Sequence, residues 1–206
     1  MLVRMTVTES DIVELDRIAV REAVRVVGLA KESDWERGTP CAGWTLRRLV
    51  AHMTAQHLGF AAAARGAGHE AANWREPEDM REPAGVHRVA ATAVLAAFAE
   101  PGAAEREFAL PELGGSFPGG RAVGFHFIDY VVHAWDVAAV LGVPVELPEH
   151  VLDAALAVAR RVPVDPARRG PGFAFAPALE VPAGSGPLEE ALRLLGRVPE
   201  EWPVRG

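Results

Sequence analysis

The chain has 206 residues, half of them apolar, a formal net charge of −7 and one cysteine, Cys41. That length holds one ordinary domain with a short appendage, and the apolar half excludes a disordered or fibrous chain. A negative charge without any basic run argues against a nucleic-acid partner, and a lone cysteine forms no intramolecular disulfide. No apolar leader core opens the sequence and no segment reaches the length of a membrane span, so a soluble cytoplasmic protein with no membrane partner is expected. Lys31 is the only lysine, beside abundant Arg, Ala, Gly and Pro, which is the codon signature of a GC-rich genome such as an actinobacterium.

The spacing predicts a first helix over residues 9–29, where Ile12, Leu15, Ile18, Ala19, Ala23 and Val26 recur with charges between them. The loop TPCAGW follows, and Thr45 is a natural N-cap for a second helix over 46–64. Residues 66–85 read as irregular, and a third helix over 86–100 is carried by Val89, Ala93, Ala96 and Ala97. The stretch LPELGGSFPGG (110–120) reads as loop or tight turns. A fourth helix over 122–141 stops at Gly142, a fifth covers 149–161 and a last amphipathic piece covers 188–195. The fold expected is mainly α: an antiparallel four-helix bundle over residues 1–162, with residues 163–206 as a short C-terminal extension packed on it.

The stretch HFIDYVVHAWD (126–136) carries the chemistry. His126, Asp129, His133 and Asp136 fall within about a quarter of the helix circumference, on a helix that is otherwise apolar. A polar seam on such a helix is buried and needs partners. Asp129 and His133 stand one turn apart, so both reach one point beside the helix, as in metal sites built inside bundles. Imidazole with carboxylate suits zinc, nickel, iron or manganese better than calcium or magnesium. The same seam also fits a hydrogen-bond network without metal. A third ligand has to come from another helix, where His52 and His57 are both available. Leu46, Val50, Met53 and Phe60 define an apolar face centred nearer His57, with His52 at its flank, so spacing leaves that choice open.

Three blocks carry a resemblance: TPCAGWTLRRLVAHM (39–53), HFIDYVVHAWDVAAVLG (126–142) and LLGRVPEEW (194–202). They resemble the mycothiol-dependent maleylpyruvate isomerase-like proteins of the DinB/YfiT superfamily of metal-binding four-helix bundles. The resemblance spans nearly the whole chain and implies a metal held by His52, Asp129 and His133. On the same seam His126 is placed to pair with or compensate for Asp129, and Asp136 to orient an imidazole from behind or cap a neighbouring group. The isomerase has glutamate, and many relatives histidine, where this chain has Asp129, a side chain one methylene shorter than glutamate. The isomerase also carries a second C-terminal domain, for which the residues after Val162 are too few.

The resemblance implies a divalent ion, zinc first and nickel, iron or manganese as alternatives, with mycothiol as co-substrate. A thiol bound to the open ion loses its proton near neutral pH and becomes the nucleophile, so no catalytic side chain is assigned. The expected partners are therefore a small-molecule thiol and a small electrophile, and the expected activity is S-transfer or isomerisation. A non-catalytic metal- or ligand-binding bundle and a thiol-independent metallohydrolase are the alternatives. The stretches 66–85 and 110–120 are candidates for the substrate mouth. Arg47 and Arg48 read as a solvated helix face, Cys41 as a packed small group, and Trp44 and Trp135 as core anchors. Tyr130 reads as structural rather than as a proton donor, and His69, His87 and His150 as solvated.

Overall fold

The structure, a computed structural model, describes residues 9–41, 43–165, 167, 169–170 and 175–202. Six α-helices and one hairpin are present among the described residues: α1 (Glu9–Val27), α2 (Leu46–Ala64), α3 (Pro83–Phe98), β1 (Glu107–Leu110), β2 (Gly115–Pro118), α4 (Gly119–Leu141), α5 (Glu149–Ala159) and α6 (Pro187–Leu194). Helix α1 packs along α4 and α2 along α3, and the two pairs meet through α1 with α3 and α2 with α4. The result is a four-helix bundle, with α5 laid against α1 and α4, and α6 against α5.

The helices follow from their apolar stripes and end signals. On α1, Ile12, Leu15, Ala19, Ala23 and Val26 are all buried, as their spacing requires. Thr45 caps α2 by accepting from the Arg48 backbone N–H at 3.3 Å. Helix α4 stops at Gly142, whose φ of 70° lies in the left-handed region that glycine enters without a Cβ clash.

Two expectations are corrected. The stretch 110–120 is not loop alone: β1 and β2 pair antiparallel with Leu110 opposite Gly115 and Glu107 opposite Pro118. Phe108 and Leu110 anchor this hairpin by burying their side chains in the core, and β1 rests on α2 and α4. The buried face of α3 is also rotated from the expected one. It carries His87, Ala90, Ala91, Val94, Ala97 and Phe98, while Val89 is 70 % exposed. In an alanine-rich helix the apolar count alone does not fix which side turns inward. No helix among the described residues is long and apolar enough to cross a membrane.

Candidate metal centre

Helices α2 and α4 bring His52, Asp129 and His133 together, each offering one ligand atom within 4.8 Å of the other two. Their four-residue separation puts Asp129 and His133 on consecutive turns of α4, with His133 Nε2 3.4 Å from Asp129 Oδ1. His52 enters from the flank of α2, its ring 5.7 Å from that of His133 and nearly perpendicular to it. The loop before α2 roofs this side. The Thr39 hydroxyl lies 3.0 Å from the Cys41 carbonyl and 3.2 Å from that of Trp44, and so folds the loop back. Trp44 then lies against His52, ring centroids 4.9 Å apart, with the Arg48 guanidinium over the indole.

Behind His133 lies a second layer. His133 Nδ1 donates to Asp136 at 2.9 Å, which leaves Nε2 facing Asp129. Asp136 accepts two further bonds from Arg197, at 3.1 and 2.8 Å, and Arg197 also donates to the Leu195 carbonyl. His133, Asp136 and Arg197 are all buried. Of the two roles open to Asp136, its contact is with an imidazole, that of His133. Arg197 was missed: it sits in the quoted block LLGRVPEEW, but its pairing across 61 residues leaves no local signal.

The electrostatics divide the two imidazoles. Burial, helped by the neighbouring His133 and Arg48, pulls His52 down to about 4 against the pull of Asp129, so the ring is neutral at pH 7. Burial also disfavours the charged form of His133, but Asp129 and Asp136 outweigh it and raise the ring above its ordinary value. Burial would push Asp136 up, yet Arg197 and His133 hold it down at about 2, an ionised carboxylate. Burial is also the main reason why the half-buried Cys41 thiol rises to about 11, which makes it a poor nucleophile and agrees with a packed small group.

Other expected residues go elsewhere. His126 does not reach Asp129; it turns to α1, where its Nδ1 lies 2.6 Å from Asp16. His57 stays with the core, as the apolar face of α2 indicates, and bonds His126 at 3.1 Å. His87 is not solvated but fully buried, whereas His69 and His150 are exposed. Tyr130 is fully buried and donates its hydroxyl to the Met53 carbonyl. Arg47 is held by Glu36 and the Met80 carbonyl, and Arg48 by Glu76. Trp44 and Trp135 are both partly buried against the core. Asp16 had a signal: a carboxylate on the stripe between Ile12 and Ala19 breaks the apolar pattern.

Residues 17–138 match the model of the mycothiol maleylpyruvate isomerase N-terminal domain. The chain belongs to that family. Two Mycobacterium tuberculosis proteins, from two strains and both described only as uncharacterised, are 32 % identical over 164 residues, covering 77 % of this chain and 82 % of theirs. Two crystal structures of the mycothiol-dependent maleylpyruvate isomerase, one of them a mutant, share the fold with TM-scores of 0.59 and 0.58. They are 15 and 16 % identical, over 77 % of this chain and 72 % of theirs.

Proposed function

We propose that this member of the mycothiol maleylpyruvate isomerase N-terminal domain family is a metal- and thiol-dependent enzyme. Its reaction would be S-transfer or isomerisation of a small electrophile, with mycothiol as the first thiol to test. The observation that carries the reading is the convergence of His52, Asp129 and His133, ligand atoms within 4.8 Å of one another.

Two imidazoles and one carboxylate are the donor set of a catalytic zinc, nickel, iron or manganese site, and three protein ligands leave coordination positions open. Bound there, such an ion would supply Lewis-acid chemistry, favouring the thiolate form of a small thiol near neutral pH. The chain's own residues prepare that site. His52 is already neutral. His133 is fixed through Nδ1 by Asp136, so its Nε2 is the nitrogen aimed at the site and must lose its proton before it can ligate. Metal affinity should therefore fall about tenfold per pH unit below the raised pKa of His133, one proton being displaced. Asp129, with its side chain 26 % exposed, marks the solvent side from which thiol and electrophile would arrive.

The test is metal analysis of untagged protein, wild type against Asp129→Ala, followed by turnover of a model electrophile with and without thiol. About one ion per chain, lost in the variant, together with thiol-dependent turnover, supports the proposal. Turnover without thiol points to a metallohydrolase. A second reading has its own observation: His133 already has a carboxylate beside each ring nitrogen, Asp136 hydrogen-bonded at 2.9 Å and Asp129 at 3.4 Å, so the seam also fits an ion-paired network without metal. In that case wild type holds no metal even after reconstitution.

A further inference from the structure

Away from the His52 site, the four helices of the bundle each send a polar side chain to its centre. Helix α1 gives Asp16, α2 gives His57, α3 gives His87, and α4 gives His126 and Tyr130, and all five are fully buried. Three of them form a chain: Asp16 Oδ1 to His126 Nδ1 at 2.6 Å, then His126 Nε2 to His57 Nδ1 at 3.1 Å. His57 is stacked on Tyr130 at 4.0 Å, and the His87 ring lies 5.0 Å from that of His57. Asp16 Oδ2, His57 Nε2 and both nitrogens of His87 have no hydrogen-bond partner in the protein.

We propose that Asp16, His126 and His57 form a buried proton-binding site, separate from the His52 site, which holds one excess proton at neutral pH. The argument is one of charge and hydrogen count. Without the extra proton Asp16 is a lone buried carboxylate, and an uncompensated charge in the interior is costly. His126 must then give its one hydrogen from Nδ1 to Asp16, and its bare Nε2 accepts from His57 Nδ1–H. With the extra proton the Asp16–His126 pair is neutral overall. A hydrogen on Asp16 Oδ2 would be a buried donor with no acceptor, so the proton sits on Oδ1 or on Nδ1. In either case His126 also carries hydrogen on Nε2 and donates it to His57 Nδ1. His57, still neutral, must carry its own hydrogen on Nε2. The two states differ by one proton, and the hydrogen bond between the imidazoles reverses direction while every heavy atom stays in place.

Burial pushes Asp16 up and drives His57 and His87 down, which keeps the proton at the Asp16–His126 end. The Tyr130 phenol is committed to the Met53 carbonyl and does not compete. A metal ion is the other cation such imidazoles could hold. Among the described residues, however, only His52, Asp129 and His133 bring three ligand atoms close enough to share one.

The test is the tautomer of His57 in the native full-length chain, read from imidazole nitrogen NMR shifts of 15N-labelled protein at pH 7. His57→Gln serves only to assign the signals. The expected result is hydrogen on Nε2 of His57 and on Nε2 of His126. Hydrogen on His57 Nδ1 at pH 7 overturns the proposal. So does a second ion per chain by elemental analysis of the same sample, with the ring nitrogens of His57 and His126 shifted as metal ligands.

Discussion

Asp136 spends one oxygen on Arg197 alone and shares the other between Arg197 and His133, with all three side chains out of solvent. Removing one partner from such a set strands the remaining charge. Arg197→Ala is therefore expected to cost about 3–5 kcal/mol in urea unfolding, far more than loss of an exposed pair such as Arg81–Asp79. Metal retention by the same variant should fall about 10–100-fold, because the group that orients His133 is no longer held. The buried histidines give a pH prediction. Burial holds His87 at about 4 in the fold and His57 well below its ordinary value, while in the unfolded chain each titrates near 6.5. Below 6.5 the unfolded state takes up protons that the folded state refuses, so this stability is intact above 6.5 and is lost as pH falls toward 4. For His87 the loss is about 2 kcal/mol by pH 5. Unfolding midpoints measured at pH 7.5 and pH 5 should show it, and His87→Leu should flatten the slope by one proton. Sequence spacing located His57 in the core and His52 at its edge, but chose neither as ligand; the family resemblance chose His52. His87 was misread because one imidazole on an alanine-rich helix looks the same in sequence whether it faces water or the core.

Helices α1, α2 and α4 were legible because each runs five turns or more and repeats its pattern several times. The hairpin was not. Its strands have four residues each, too few to establish a period of two, and the glycines and prolines beside them read as turn chemistry. Its two buried side chains, Phe108 and Leu110, become informative only once the helices they meet are in place. The approach of the 71–74 turn to α2 was equally invisible. There a Cβ on Gly59 would lie 2.2 Å from the Trp74 ring, so α2 uses a poor helix former to admit an indole. Gly59→Ala should be destabilising by about 1–3 kcal/mol despite its better helix propensity. In a Trp74→Ala background the same change should become neutral or stabilising by up to about 1 kcal/mol. A thermal-melt double-mutant cycle distinguishes this clash from a general defect of the helix, for which the two costs would simply add.

At the scale of the molecule, the stretch after residue 162 shares its apolar core with the bundle. Residues 166, 168, 171–174 and 203–206 of the extension lie outside the described residues. The described part supplies Leu192 and Leu195 to the same apolar cluster as the bundle helices. Arg169 ties it together by donating to the Pro163, Ala176 and Leu194 carbonyls, and Arg160 of the segment after α5 pairs with Glu190 of α6. Arg197 then reaches the layer behind His133, so the extension completes the surroundings of the candidate metal centre. If the extension were an appendage held by that one clamp, a chain ending at residue 162 would behave like Arg197→Ala. Burial of Leu192 and Leu195 predicts otherwise, since each buried leucine lost costs about 2–5 kcal/mol on top of the stranded Asp136. That sum is comparable with the total stability of a domain, about 5–15 kcal/mol. The truncated chain is therefore expected to show no cooperative melt by circular dichroism, whereas Arg197→Ala keeps one at lower temperature. A truncated chain that melts cooperatively, close to the Arg197→Ala midpoint, would instead make residues 1–162 a self-sufficient bundle and leave Arg197 as the extension's one contribution.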